Sequence, residues 1–253
     1  MNGAPAPTPI YRGATALFRR NIQFLLPIAL IELGAQAAIL PDASIVYSAS
    51  YLLVSFWLWI WVAHSGYISI NEGVQLSLIS MFSRRNHPSL AFWMLSIFGL
   101  AVFLVLCMFP LFMVASMREP SPVALLIISL PGLLYIGLLS QFGAAFPAAA
   151  IERKLRLRWG FGAARSHWPR LLFDLARGVL ACNLVLLLFF WLGPRFGLQT
   201  EPGSDLGAIE PIGLVVTFVG ALLGSWTTYL SVIALNNAYR IATARPDVSR
   251  VFE

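Results

Sequence analysis

Residues 90–116 read LAFWMLSIFGLAVFLVLCMFPLFMVAS, twenty-seven positions without one charged side chain. At 1.5 Å rise per residue, a helix of that length reaches about 40 Å, enough to cross the roughly 30 Å hydrocarbon core of a bilayer. Lipid is the solvent such a segment requires. Outward from it, five further apolar stretches reach spanning length, at residues 22–40, 46–66, 122–150, 171–192 and 212–235. A transmembrane strand needs only about 9–11 alternating residues, so these lengths specify helices and not a barrel. The fold class expected is all-α, a polytopic six-transmembrane-helix bundle, as one integral membrane domain over residues 1–253. Pro110, Pro131 and Pro147 in the two long inner stretches predict kinks.

Composition agrees. The 253 residues are 58% hydrophobic and 11% charged, against about 45–50% and about 25% in soluble domains. Soluble enzymes, disordered chains and collagen-like chains are excluded. Cys107 and Cys182 lie inside apolar runs, which excludes a disulfide framework or a CxxC zinc site.

The net charge of +6 reads as topology. Fifteen of the 17 basic residues fall on one side of the alternating loops, and only Arg118 and Arg195 on the other. By the positive-inside rule both termini and the 151–170 connection are cytoplasmic, and 194–211 is an external loop. No nucleic-acid partner is expected. Lys154 is the sole lysine beside sixteen arginines, a codon bias that points to a GC-rich bacterium and so to the bacterial cytoplasmic (inner) membrane. Arg19-Arg20, an apolar stretch and Ala35-Gln36-Ala37 imitate a secretory signal peptide. The twenty-residue leader is long for that role and Glu32 interrupts the apolar region, so the first span is expected to stay uncleaved. Residues 1–10, with three prolines, are expected to form a mobile tail, and 11–21 an amphipathic interfacial segment.

A similar plan recurs. Gly13–Leu25 aligns with Gly160–Leu172, 147 positions on, and Ile68, Ile70 and Asn71 match Ile233, Leu235 and Asn236, 165 positions on. The difference equals the length of the 194–211 loop, as if one copy had gained it. An internal duplication of interfacial helix plus hairpin fits this spacing, on few identities.

The run Phe146-Pro147-Ala148-Ala149-Ala150, then Glu152-Arg153-Lys154-Leu155-Arg156-Leu157-Arg158, Ala163-Ala164-Arg165 and Trp168-Pro169-Arg170-Leu171-Leu172, also carries a resemblance. It resembles a junction of bacterial multi-pass domains similar to the membrane domain of glycerophosphodiester phosphodiesterases. The likeness covers residues 147–240, and the catalytic domain of those enzymes has no counterpart here. It implies a helical membrane module and no phosphodiester chemistry.

Catalytic signatures are missing: there is no HExxH, no Gly-x-Ser-x-Gly and no phosphate loop. Gly160-Phe161-Gly162 lacks a third glycine and follows no strand. Asp174 and Arg177 resemble half of a CDP-alcohol transferase signature, but no acid occurs between Leu175 and Thr200, so a local ion pair is expected. His64, His87 and His167 fall on three segments without carboxylates at ligand spacing. No metal and no cofactor are expected. Glu32 is sharper, sitting near mid-bilayer, where an ionised carboxylate costs about 2.5–3.5 kcal/mol on insertion scales. It is expected to be neutral and to face the bundle, with Gln36 one turn on and Asn183 at similar depth. Its bland role is to fix the first span; its functional role would be a proton or substrate site.

Arg153, Lys154, Arg156 and Arg158 cluster with Trp159 and Trp168 at the membrane surface, where basic residues attract anionic headgroups at about 1 kcal/mol each. Residues 74–83 are expected to add an interfacial helix. Trp57, Trp59 and Trp61 project differently around a helix and read as ordinary packing. In the last span Gly213, Thr217, Gly220, Gly224, Thr227, Ser231, Ala234 and Ala238 are spaced 4, 3, 4, 3, 4, 3, 4. That stripe suits close helix packing, inside the chain or in a homodimer seam, with Ala221 off it. The expected function is non-enzymatic: a membrane scaffold or accessory subunit touching anionic lipid, with a protein partner or a homodimer as further possibilities. A small transporter or permease subunit using Glu32, or an intramembrane lipid-modifying enzyme, are the alternatives.

Overall fold

The computed structural model of the chain describes residues 9–37, 45–81, 83, 86–115, 122–165, 168–182, 184 and 211–243. Every regular element among these residues is helical. The expected tail (save Pro9 and Ile10), residues 194–210 of the external loop, and residues 183 and 185–192 of the expected fifth span lie outside them. Three helical stretches are long and apolar enough to cross a membrane, Leu53–Glu72, Leu90–Cys107 and Thr217–Thr243, and a bent pair makes a fourth if counted as one span. The protein is therefore membrane-embedded and helical. Its contacts divide it into two compact units.

The unit of residues 14–88 and 181–230 holds most of α1 (Ile10–Arg20), then α2 (Ile22–Ala37), α3 (Ile45–Glu72), α4 (Leu78–Met81) and the first part of α10 (Pro211–Thr243). Helix α1 is amphipathic for a plain reason: Ile10, Ala14 and Leu17 recur at i, i+4 and i+7 and are buried, while Arg12 and Arg19 face out. Ile10 thus belongs to a helix and not to the expected tail. The chain turns once at Asn21, whose carbonyl accepts from both Phe24 and Leu25 N–H at 2.9 and 3.0 Å. Helix α2 is described over sixteen residues, about 24 Å of rise; residues 38–40 of the apolar run lie outside the described residues.

Helix α3 runs on past the expected end at Gly66 to Glu72 and stops at Gly73, whose φ of +69° is open to glycine at no steric cost. Among the described residues of the expected 74–83 interfacial helix, only Leu78–Met81 is helical. The rest is a strap without helical hydrogen bonding, held by side chains. Ser69 Oγ donates to the Val74 carbonyl at 2.8 Å, and the backbone N–H groups of Ser77 and Ser80 each donate to the other's Oγ, at 2.9 and 3.2 Å, capping the short helix. Leu76 is fully buried.

The other unit, residues 1–13, 89–180 and 231–253, holds α5 (Leu90–Ala115), α6 (Pro122–Phe142), α7 (Ala145–Ile151), α8 (Leu157–Arg165), α9 (Trp168–Leu175) and the end of α10. The run 122–150, expected as one kinked span, is two helices bent by 61°. Pro131 lies inside α6 without breaking it. The break falls at Gly143-Ala144 because Pro147 has no N–H for the Gly143 carbonyl four residues back, and its ring would strike that oxygen. The Gly143 carbonyl instead accepts from Phe146 N–H at 3.1 Å. A side chain at Gly143 would overlap Leu235 and the Leu139 carbonyl, so only glycine fits the bend. Helix α9 starts at Trp168, three residues before the apolar run, since Pro169 is tolerated in a first turn. A π-helical turn, Ala176–Leu180, follows it.

Candidate functional site

The basic connection is built from the end of α7. Glu152 caps that helix, its N–H donating to the Ala148 carbonyl at 2.8 Å. Arg153 then takes φ +58°, the left-handed conformation usually left to glycine, and turns the chain outward. Glu152 is engaged at both oxygens: Tyr239 Oη donates to Oε1 at 3.0 Å and Arg156 Nη2 pairs with Oε2 at 3.0 Å. The remaining acid up to Arg177, Asp174, pairs with Arg177 at 3.4 Å, the local ion pair expected from sequence.

With both acids engaged, Arg153, Lys154, Arg156, Arg158 and Arg170 stand exposed. Interleaved with them, Leu155, Phe161, Trp168 and Phe173 are also exposed, Phe161 at 52% and Phe173 at 62%. Soluble surfaces rarely alternate cations with large apolar groups in this way. An interface does, because the cations reach phosphates while rings sink below them. Trp159 differs from its neighbours: it is half-buried, its ring 5.9 Å from Tyr239 in an edge-on contact. The Arg177 guanidinium lies 5.2 Å from the Phe173 ring centroid and 5.9 Å from that of Tyr11, whose hydroxyl donates to the Arg177 carbonyl at 2.8 Å. The π turn misaligns that carbonyl from the helical pattern and leaves it for Tyr11.

In the unit of residues 14–88 and 181–230 the structure brings together a buried polar network that motif reading missed. Asn21, Ser65, Ser69 and Tyr229 are all buried, the last fully. Ser65 Oγ donates to the Val62 carbonyl at 2.7 Å, so its single proton is used and the 3.0 Å contact with Tyr229 is a tyrosine-to-serine donation. Asn21 Oδ1 accepts from Leu76 N–H at 3.2 Å and Arg20 Nη1 donates to the Ser69 carbonyl at 3.2 Å. The network thus joins the α1–α2 turn, α3, the strap and α10. Ser65 and Ser69 at i and i+4 near the end of a span were its sequence signal. Apolar periodicity hides such a face.

Glu32 is half-buried on α2. Asn183 and the Gln36 side chain lie outside the described residues. Of the histidines, His64 is buried in α3 and His87 meets the Trp61 ring edge-on at 5.2 Å; His167 lies outside. Among the described residues no three His, Cys, Asp or Glu side chains gather as a metal site. On the small-residue stripe, Gly224 abuts Trp59 of α3, and any side chain there would overlap that ring. Thr217 and Thr227 are buried, Gly220 and Ser231 half-buried, and Ala234 and Ala238 buried; the surroundings of Gly213 lie outside. Ala221, off the stripe by spacing, is itself 7% exposed. The outward face is Val215, Val219 and Leu223.

Fold and surface together define a class: a membrane-embedded helical protein with a basic, aromatic-studded connection between helices. No protein-family model, no curated protein and no solved structure matches the chain.

Proposed function

We propose that this protein is a non-enzymatic scaffold or accessory subunit of a bacterial cytoplasmic membrane that holds anionic lipid headgroups through the 151–170 connection. In this reading the chain spans the bilayer six times with both termini cytoplasmic, and its module is of the kind found beside glycerophosphodiester phosphodiesterase domains. One observation supports it above the rest: exposed Arg153, Lys154, Arg158 and Arg170 alternate with exposed Leu155, Phe161 and Trp168, while Glu152 and Asp174 are taken up in ion pairs. A transport reading would need Glu32 to line a polar path, and a lipid-modifying enzyme would need converging polar groups open to substrate. Among the described residues neither has a comparable feature.

Spin-labelled phosphatidylglycerol added to vesicles holding the full chain tests the reading. Lys154→Gln with Arg158→Gln should lower its association with the protein by about threefold or more, since each juxtamembrane cation contributes on the order of a fivefold gain. Spin-labelled phosphatidylcholine should not respond. Equal association in wild type and variant would sink the proposal.

A further inference from the structure

The register of the helices carries an inference that charge alone does not. Helix α1 begins at Ile10 and α8 at Leu157, 147 positions apart, the offset at which Gly13–Leu25 aligns with Gly160–Leu172. Burial agrees at several paired positions, although buried Ala14 and Asn21 have exposed counterparts in Phe161 and Trp168. Phe24 and Leu171 are both buried, as are Ile28 and Leu175, while Leu26 and Phe173 are both exposed. Along the long helices, His64 and Tyr229 are paired by the offset and both buried, as are Ile68 and Ile233.

Paired positions also touch. Trp59 fills the notch at Gly224, its own counterpart 165 residues on. Ser65 meets Tyr229, the counterpart of the adjacent His64. Because the two contacts advance together along both helices, α3 and α10 run parallel and in register there. Corresponding helices of two copies, paired parallel and in register, have this arrangement.

We propose that the chain is a tandem duplication of one module, and that α1 is accordingly a second headgroup surface, the counterpart of α8. Its occupant is the phosphate-bearing face of an anionic bilayer. Charge complementarity selects it: α1 carries Arg12, Arg19 and Arg20 and no acid, with Arg12 and Arg19 exposed opposite the buried Ile10, Ala14 and Leu17. Arg20 is committed to the Ser69 carbonyl. This inference rests on the lipid reading of the 151–170 connection.

The test uses the full chain in vesicles with spin-labelled phosphatidylglycerol. Arg12→Gln with Arg19→Gln should lower association about threefold, by the same surface attraction as at α8, and the four-site variant should lose more than either pair. If the α1 pair binds as wild type does, the second surface is overturned; a loss in the Lys154/Arg158 pair alone would leave the first reading standing, and no loss in either would remove both. The duplication has its own readout. Trp59→Gly and Gly224→Trp should each lower the melting temperature in detergent, and the double exchange should recover at least half of the larger loss. A double variant no better than the worse single one overturns the shared register. Where a single variant fails to fold, cysteines at 59 and 224 should cross-link in a background lacking Cys107 and Cys182, and cysteines at 59 and 220 should not; equal cross-linking of both pairs is the contrary result.

Discussion

Arg153 serves two demands that pull apart. Its φ of +58° costs an L-residue about 1–2 kcal/mol relative to glycine, yet its side chain belongs to the cluster proposed to meet lipid headgroups. Arg153→Gly should therefore raise the melting temperature while lowering phosphatidylglycerol association; both moving in one direction would contradict this division. Asn21 makes a simpler case. Removing its Oδ1 leaves the buried Leu76 N–H without an acceptor, and Asn21→Ala should cost about 1–3 kcal/mol, read by thermal unfolding in detergent. Neither residue stands out in the sequence, because a left-handed arginine and a buried asparagine are decided by what surrounds them. Glu32 is the reverse: its place inside an apolar run was plain from the sequence, whereas its partners depend on packing.

At the level of elements, the helices were legible wherever apolar residues ran long, and their ends were not. Helix α3 outlasts its apolar run because Asn71 and Glu72 can sit exposed at its last turn, with Asn71 Nδ2 returning to the Tyr67 carbonyl at 2.8 Å. The run 122–150 hid a 61° bend, since composition is blind to direction and Pro147 acts one turn before its own position. Gly143→Ala places a methyl against Leu235 and the Leu139 carbonyl, and should cost about 1–3 kcal/mol of thermal stability. Gly137→Ala, on α6 where a methyl meets nothing within 4 Å, should be neutral or better. Equal losses would mean that the bend does not depend on the glycine. The strap after α3 escaped periodicity altogether: it is held by Ser69, Asn21 and a reciprocal serine pair, each a local hydrogen bond and none a pattern.

For the whole molecule, the sequence pattern that decided the class was gross composition, and the charge imbalance then proposed an orientation. A single cysteine at position 204, in a background lacking Cys107 and Cys182, should react with an impermeant thiol reagent in intact cells. Reaction only after permeabilisation would reverse the orientation. The basic surface was half legible: the run of arginines and the i,i+4 pair of Glu152 with Arg156 were visible, but the hydrogen bond from Tyr239 to Glu152 joins residues 87 positions apart in chain order. Contacts of this kind fix where a carboxylate beside a basic cluster is held. They belong to the fold.

Two identical helices meeting about an axis must carry the same residue at each counterpart position. A pair of tryptophans at the level of Trp59 would collide, and a pair of glycines would leave a void. The tryptophan seated in the notch of Gly224 is a knob with a matching socket, a shape open only to copies that differ. Joining the two on one chain frees each to diverge, one growing where the other shrinks. The divergence that leaves so few identities between them is then part of how they fit.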